Sequence, residues 1–217
     1  MIQESLVEKA YQIIEEKIVT LKLEPGMLIS EKQISEEIGI GRMPVREAFK
    51  KLEAAHLVKI MPRRGMMVTE IKLEEVFQQL ELRRAIEGIA AKSAAQNATE
   101  SERKKFADFS KSFKEATDSN DSYNSVRIDN EFNLQVLESC RNPFLKEALR
   151  PLYALSRRLY YMNYSNDSEI IKEINKAHCG LMNHIAVGDE KGAVDKTNVI
   201  LDCVTELYKK KYLEKLI

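Results

Sequence analysis

Arg42 and Arg46 stand four residues apart in Arg42-Met-Pro-Val-Arg-Glu-Ala-Phe-Lys-Lys-Leu-Glu. On a helix that spacing puts both guanidinium groups on one face. An arginine fork pairs bidentately with O6 and N7 of guanine, so two forks at one end of an exposed helix are equipped to read base edges in a major groove. Gly41 and Met43 flank the first arginine, and Gly41 lets the backbone approach closely. Lys32 lies earlier, at the start of the preceding helical segment, where it would meet phosphate. Arg63 and Arg64 precede Gly65 between two β-prone runs, a position from which they reach phosphate or a minor groove. From Arg42 to Arg64 the chain carries seven basic residues and two acidic ones, whereas the whole chain is balanced at 34 and 34. A solvated helix face is the ordinary meaning of such a cluster. Its place in the order of elements raises it above that.

Those elements follow from pattern. Residues 5–21 carry a helical stripe of Leu6, Ala10, Ile13, Ile14, Ile18 and Leu21. Pro25-Gly26 marks a turn. Ser30 is a helix N-cap with Gln33 at the capping-box position, and Gly39-Ile40-Gly41 closes that helix. The next helix begins near Arg42. Pro44 is tolerated there because first-turn amides lack intrahelical partners. Val45, Ala48, Phe49, Leu52 and Leu57 form its core stripe. Val58-Lys-Ile-Met and Gly65-Met-Met-Val-Thr read as a hairpin, with Gly65 at its tip. Helix, turn, basic helix and hairpin in that order spell a winged helix-turn-helix over residues 1–70, with double-stranded DNA as its partner.

Residues 71–217 read differently. Helical pattern covers 73–95 (Val76, Phe77, Leu80, Ile86, Ile89, Ala90), then a helix capped by Thr99 to about 116, then 122–139. A further helix starts at Asn142-Pro143 and runs to 161. Two more cover 168–187 and 190 to about 216, with loops at 118–121 and 163–167. The fold class is mainly α: a winged helix-turn-helix with a small β-hairpin wing, then an antiparallel all-α bundle of six to seven helices. A composition of 44% hydrophobic and 31% charged residues fits a globular chain. No apolar run approaches the roughly 20 residues that span a bilayer, so no membrane partner is expected. Met1-Ile-Gln-Glu-Ser lacks the features of a secretory signal. Cys140, Cys179 and Cys203 form no CxxC pair, so a reducing, cytoplasmic setting is expected, with all three as small buried hydrophobes. No nucleophile–base pair and no phosphate loop is present, so no enzyme is expected. A helical metal-dependent hydrolase is the remote alternative.

Leu23-x-Pro-Gly, Ser30-Glu-x-x-Ile-Ser-Glu-x-Ile-Gly, Arg42-x-Pro-Val-Arg-Glu-Ala-x-x-x-Leu-Glu, Leu57-Val and Arg64-Gly-x-x-Val resemble the N-terminal domain of the GntR family of bacterial transcription regulators, over about residues 5–70. The resemblance implies a homodimer on a short palindromic operator, with Lys32, Arg42, Arg46 and Gly65 at the DNA-contact positions. Lys32 replaces an arginine often found there, and Met43 a smaller polar residue. Over about residues 73–210, Leu82-Arg-Arg-x-Ile-Glu87, Asp129-x-x-Phe-Asn133, Asn142-Pro143, His178, Ile185-x-x-Gly-Asp189 and Ala193 resemble the effector domain of the FadR subgroup.

That second resemblance implies an effector pocket inside the bundle. Its divalent-metal pattern is an Asp and a His four apart, then two His on the last helices. Here the pattern falls on Asp129, Asn133, His178 and Ile200. Asp129 and His178 are ordinary metal ligands, Asn133 offers an amide oxygen, and Ile200 offers nothing. Two outcomes stay open. A divalent metal is held by Asp129 and His178, with water, Asp202 or the effector completing its shell. Alternatively the pocket is metal-free, and Arg83, Asp129, Asn133 and His178 bind an organic acid, with Arg83 anchoring its carboxylate. His184 reads as structural, and His56 as packing or touching phosphate. Tyr153, Tyr160, Tyr161 and Tyr164 line a pocket or simply pack. The implied function is a sequence-specific DNA-binding regulator, a repressor of a metabolic operon, controlled by a small carboxylate effector. The alternative is a bundle that only dimerises or binds protein partners.

Overall fold

The computed structural model describes residues 5–163 and 169–214, with side chains to 210. Tyr164, the remainder of the expected 163–167 loop, the start at 168 and the end near 216 lie outside the described residues. The chain divides into two compact units. One is Met1–Ile71 with Ala154–Met162; the other is Lys72–Tyr153 with Asn163–Ile217.

The first unit contains α1 (Leu6–Val19), β1 (Leu28–Ile29), α2 (Glu31–Ile38), α3 (Arg42–Ala54), β2 (Val58–Met61) and β3 (Gly65–Val68). Ser5 caps α1, its hydroxyl accepting from Glu8 N at 3.2 Å. The helical stripe buries Ala10, Ile14 and Ile18 against Ile34 of α2 and Val45, Ala48, Phe49 and Leu52 of α3. Leu6, expected in that stripe, is 57% exposed because it stands at the first turn, beyond the reach of the core. Leu57 was expected in the stripe of the basic helix. It lies past the end of α3, yet it is fully buried, and Leu57 N donates to Leu52 O at 2.9 Å.

The expected hairpin is two strands of a three-stranded antiparallel sheet in the order β1-β3-β2. β1 has only two residues, too few for period-two alternation to show. The hairpin tip also differs from expectation. Gly65 opens β3 in register with Met61, and the turn carries Arg63 at φ +64°. Gly65 is needed for another reason: its φ is +95°, and a Cβ there would lie 2.6 Å from Ile29 O. Gly65→Ala is therefore expected to pull β3 from β1 and lower the unfolding midpoint, seen as lost amide protection at Met66 and Met67 in hydrogen exchange.

Ala154 and Leu155 pack into this same core. The buried Glu15 carboxylate accepts from Tyr11 Oη at 3.2 Å and lies 3.3 Å from Arg157 Nη2. Arg158 Nη1 donates to Thr69 O at 3.0 Å. The segment belongs to a longer helix with unbroken periodicity, so nothing in its pattern marks it as part of the first unit.

The second unit holds α4 (Leu73–Asn97), α5 (Glu100–Asp118), α6 (Ser122–Ser139), α7 (Pro143–Asn163, shared with the first unit), α8 (Glu169–Val187) and α9 (Glu190–Glu214). Ala90, Ala91, Ala94 and Ala95 give α4 a small-residue face. Phe106 meets Phe109 and Phe132 edge-on at centroid distances of 6.4 and 5.8 Å. Ile89, read as part of the apolar pattern, is 53% exposed. Arg103 ties helix ends together: its guanidinium donates to Ala95 O at 2.7 Å, Ala98 O at 3.1 Å and Ile185 O at 3.2 Å.

Thr99 caps α5 in a full capping box with Glu102. Thr99→Ala is expected to cost about 1 kcal/mol in denaturant unfolding. Burial pushes the Glu102 carboxyl up, but the Thr99 amide and Arg141 outweigh it and hold the group below its ordinary value. A depressed folded-state pKa gives stability that is whole above the usual carboxylate range and lost as pH falls through the lowered value. Glu102→Gln should therefore destabilise at neutral pH, with the gap to the parent closing in acid.

Candidate functional site

Ser30 fixes the start of α2, its hydroxyl accepting from Gln33 N at 3.1 Å. Gly39 ends the helix in the left-handed region at φ +67°. Gly41 then begins α3 with no side-chain cap, leaving first-turn amides open to an anion. Gly41, Arg42, Met43 and Arg46 are all exposed, and Met43 is 63% exposed. They share the N-terminal end of α3, which is where base-reading residues of such a helix sit. Lys32, on α2, is exposed beside Glu36 at 3.9 Å. Arg63 and Arg64 project from the wing turn, closed by Arg64 N donating to Met61 O at 3.0 Å.

Two carboxylates not singled out by sequence reasoning organise this surface. Arg46 Nε donates to Glu31 Oε1 at 2.9 Å, and Arg46 Nη2 to Glu31 Oε2 at 2.8 Å. The Arg46 hydrogen bond, then its charge, holds the Glu31 carboxyl below its ordinary value. Glu53, at the end of α3, accepts from Ile60 N at 2.8 Å and fastens β2 to the helix. Residue spacing gave no sign of either, because both pairs close across turns.

A buried polar cluster sits in the second unit. Arg83 and Glu87, one helical turn apart on α4, are 6% and 7% exposed. Arg83 Nε donates to Glu87 Oε2 at 2.7 Å and Nη2 to Oε1 at 3.1 Å. Burial alone would lower the guanidinium pKa. Glu87 chiefly, then Tyr153 and Asp129, outweigh it and keep the group charged. Glu87 thus takes the Nε–Nη2 edge of Arg83, the residue expected to anchor an effector carboxylate. Arg84 pairs instead with Asp202 at 2.8 Å, both side chains exposed.

On α6, Asn133 Nδ2 donates to Asp129 Oδ2 at 2.9 Å, which leaves the amide oxygen as the free end of that side chain. On α8, His178 Nδ1 lies 2.9 Å from Ile174 O. A carbonyl only accepts, so Nδ1 carries a proton, and Nε2 is the nitrogen turned toward Asp129. Nε2 lies 3.5 Å from Asp129 Oδ1. Phe113 packs at 5.7 Å from the imidazole. Ile200, at the fourth position, is 2% exposed and apolar. Tyr153 is buried, and its phenol is pushed up by burial and then by Glu87. His184 pairs with Asp189 at 2.9 Å, away from this cluster. Among the described residues no group of three His, Cys, Asp or Glu side chains converges as a metal cage. No described helix is long and apolar enough to cross a membrane.

An α2–turn–α3 unit with a wing, joined to a helical bundle holding a buried polar cluster, is the architecture of a winged helix-turn-helix module with an all-α companion domain. Residues 6–68 match the model of the bacterial regulatory proteins of the gntR family, and residues 78–202 match the FCD domain. The second match alone spans more than half of the chain, so the chain belongs to the FCD-domain proteins, with an N-terminal region of the gntR type. The families matched are those of regulators, not enzymes. The HTH-type transcriptional repressor RspR of Escherichia coli K12 is 39% identical over 95 residues, 44% of this chain and 42% of that protein. The chain thus aligns with less than half the length of that relative. The E. coli K12 regulator McbR is 22% identical over 172 residues, 78% of this chain and 77% of its own. The solved structure of E. coli McbR/YncC superposes with a TM-score of 0.81 at 18% identity, covering 97% of this chain and all of that one. A putative GntR regulator from Rhodococcus sp. RHA1 gives 0.73. At such identities the superpositions speak for the fold alone.

Proposed function

We propose that this regulator is a homodimeric repressor that binds a palindromic operator through Lys32, Arg42, Arg46 and the wing arginines, and releases it when a small organic acid enters the FCD bundle. A dimer must match two half-sites at fixed spacing, so a ligand that alters that spacing costs operator affinity.

The observation that carries the effector reading is His178 Nε2 facing Asp129 Oδ1 at 3.5 Å. A ring protonated at Nδ1 alone would turn a lone pair toward that carboxylate, and a cation seated between the two would satisfy both, as would a second proton on Nε2. Ligand atoms about 2.1 Å from a divalent metal and 3.5 Å apart subtend roughly 110°, the tetrahedral angle. Asp129 and His178, with the amide oxygen of Asn133, are the residues that would hold it. Ile174 O orients the imidazole from behind. The shell is left short of donors, and a chelating acid would complete it.

Charge makes the acid and the metal depend on each other. Arg83 and Glu87 cancel, and Asp129 adds one negative charge, which stands uncompensated whenever His178 carries a single proton. A bare carboxylate would meet a net negative cluster; a divalent cation reverses that sign. The other reading is a bundle that only dimerises, in which the buried Arg83–Glu87 pair is structural. Elemental analysis of dialysed protein together with calorimetric titration of chelating acids separates the two. Binding of acid that appears only with metal supports the effector reading. No binding of either supports the dimerisation module.

A further inference from the structure

The Glu31–Arg46 pair joins the first residue of α2 to the second turn of the helix that reads bases. Here the carboxylate takes the Nε and Nη2 edge, at 2.9 and 2.8 Å, in the two-bond fork geometry. Arginine carries five N–H donors. The edge formed by Nη1 and the second hydrogen of Nη2 is left over, and it is the edge that pairs end-on with O6 and N7 of guanine. Glu31 is itself fixed: Ser30 caps its helix, so the carboxylate springs from a held first turn. The pair is solvent-facing, with Arg46 half exposed and Glu31 about one-quarter exposed, so it stands on the surface that meets DNA.

We infer that Glu31 is a positioning residue for base specificity, orienting the Arg46 fork toward a guanine edge and withholding it from phosphate. An unrestrained arginine on a DNA-facing helix finds phosphate as readily as bases, which adds affinity without sequence information. A carboxylate on one edge fixes the plane of the guanidinium. Its negative charge also repels phosphates that would compete for the fork. The residue lowers total electrostatic affinity and raises discrimination. The inference rests on the DNA-binding reading and deepens it.

The test uses the full-length chain and a duplex that it selects from a randomised pool. Binding of that duplex and of a scrambled one is followed by anisotropy across a salt series, for the parent, Glu31→Gln, Glu31→Asp and Arg46→Ala. The expected result for Glu31→Gln is a loss of about tenfold in the ratio of selected to scrambled affinity. Scrambled binding is retained or tightened, and its salt dependence is steeper by about one ion. Glu31→Asp restores part of the ratio. In the Arg46→Ala background, Glu31→Gln changes the ratio no further. Equal weakening on both duplexes would reduce Glu31 to a structural role and overturn the inference, as would an unchanged ratio. A parent chain that selects no duplex overturns the DNA-binding reading itself and is recognisable as such before any variant is compared.

Discussion

Glu87→Leu is expected to destabilise the protein by about 3–5 kcal/mol, read as a lower denaturant midpoint. Its carboxylate is the fork partner of Arg83, and both side chains are less than one-tenth exposed. Removing one partner leaves a buried guanidinium with its principal counter-charge gone, and the cost is that of desolvating a charge without compensation. Glu87→Gln keeps an acceptor at the same place and should lose less. Arg83→Leu with Glu87→Leu should recover much of the deficit, because replacing a buried pair by packed apolar groups is often neutral. A double variant no more stable than Glu87→Leu alone would contradict this account of the pair.

The second large effect is on DNA. Arg42→Ala and Arg46→Ala should each weaken binding to the selected duplex by about ten- to a hundredfold, as expected for losing a bidentate base contact worth roughly 1–3 kcal/mol. Arg46→Lys should not rescue, since an ammonium cannot keep the two-bond pairing. Lys32→Ala should act otherwise, weakening selected and scrambled duplexes alike and reducing the salt slope by about one. If Arg42→Ala and Arg46→Ala behaved like Lys32→Ala, the end of α3 would be a phosphate anchor and base reading would lie elsewhere.

The order of elements was legible from residues 5–70. Caps, turn glycines and stripes are local, and Ser5, Ser30, Thr99 and Gly39 act where their types predict. Among the described residues six helices follow residue 72, as the periodicity implied. What escaped depends on partners distant in sequence. β1 exists because two residues find β3. Gly65 is required by the approach of Ile29 O, not by the hairpin tip where it was expected. Residues 154–162 join the first unit through Ala154, Leu155 and the Arg157–Glu15 pair, which periodicity within one helix does not reveal.

The bundle site was legible as a set of positions and not as chemistry. Asp129, Asn133 and His178 come together, but the chemistry is set by which atoms already have partners. Arg83 was expected to reach for a ligand, and its Nε–Nη2 edge goes to Glu87, because residues four apart on a helix meet whether or not a ligand is present. Asp202, a candidate to complete a metal shell, is turned to Arg84. The proton on His178 Nδ1 is fixed by a backbone carbonyl that no motif records.

The central claim is that an organic acid acts on DNA binding through a cation held by Asp129 and His178. Its most direct measurement is the affinity of chelator-stripped protein for the selected duplex, taken with a divalent metal alone, a panel of small chelating acids alone, and both together. The expected result is release of DNA only when both are present, and no release in His178→Ala. Equal release of stripped protein by acid alone, or release that survives in His178→Ala, would contradict the claim.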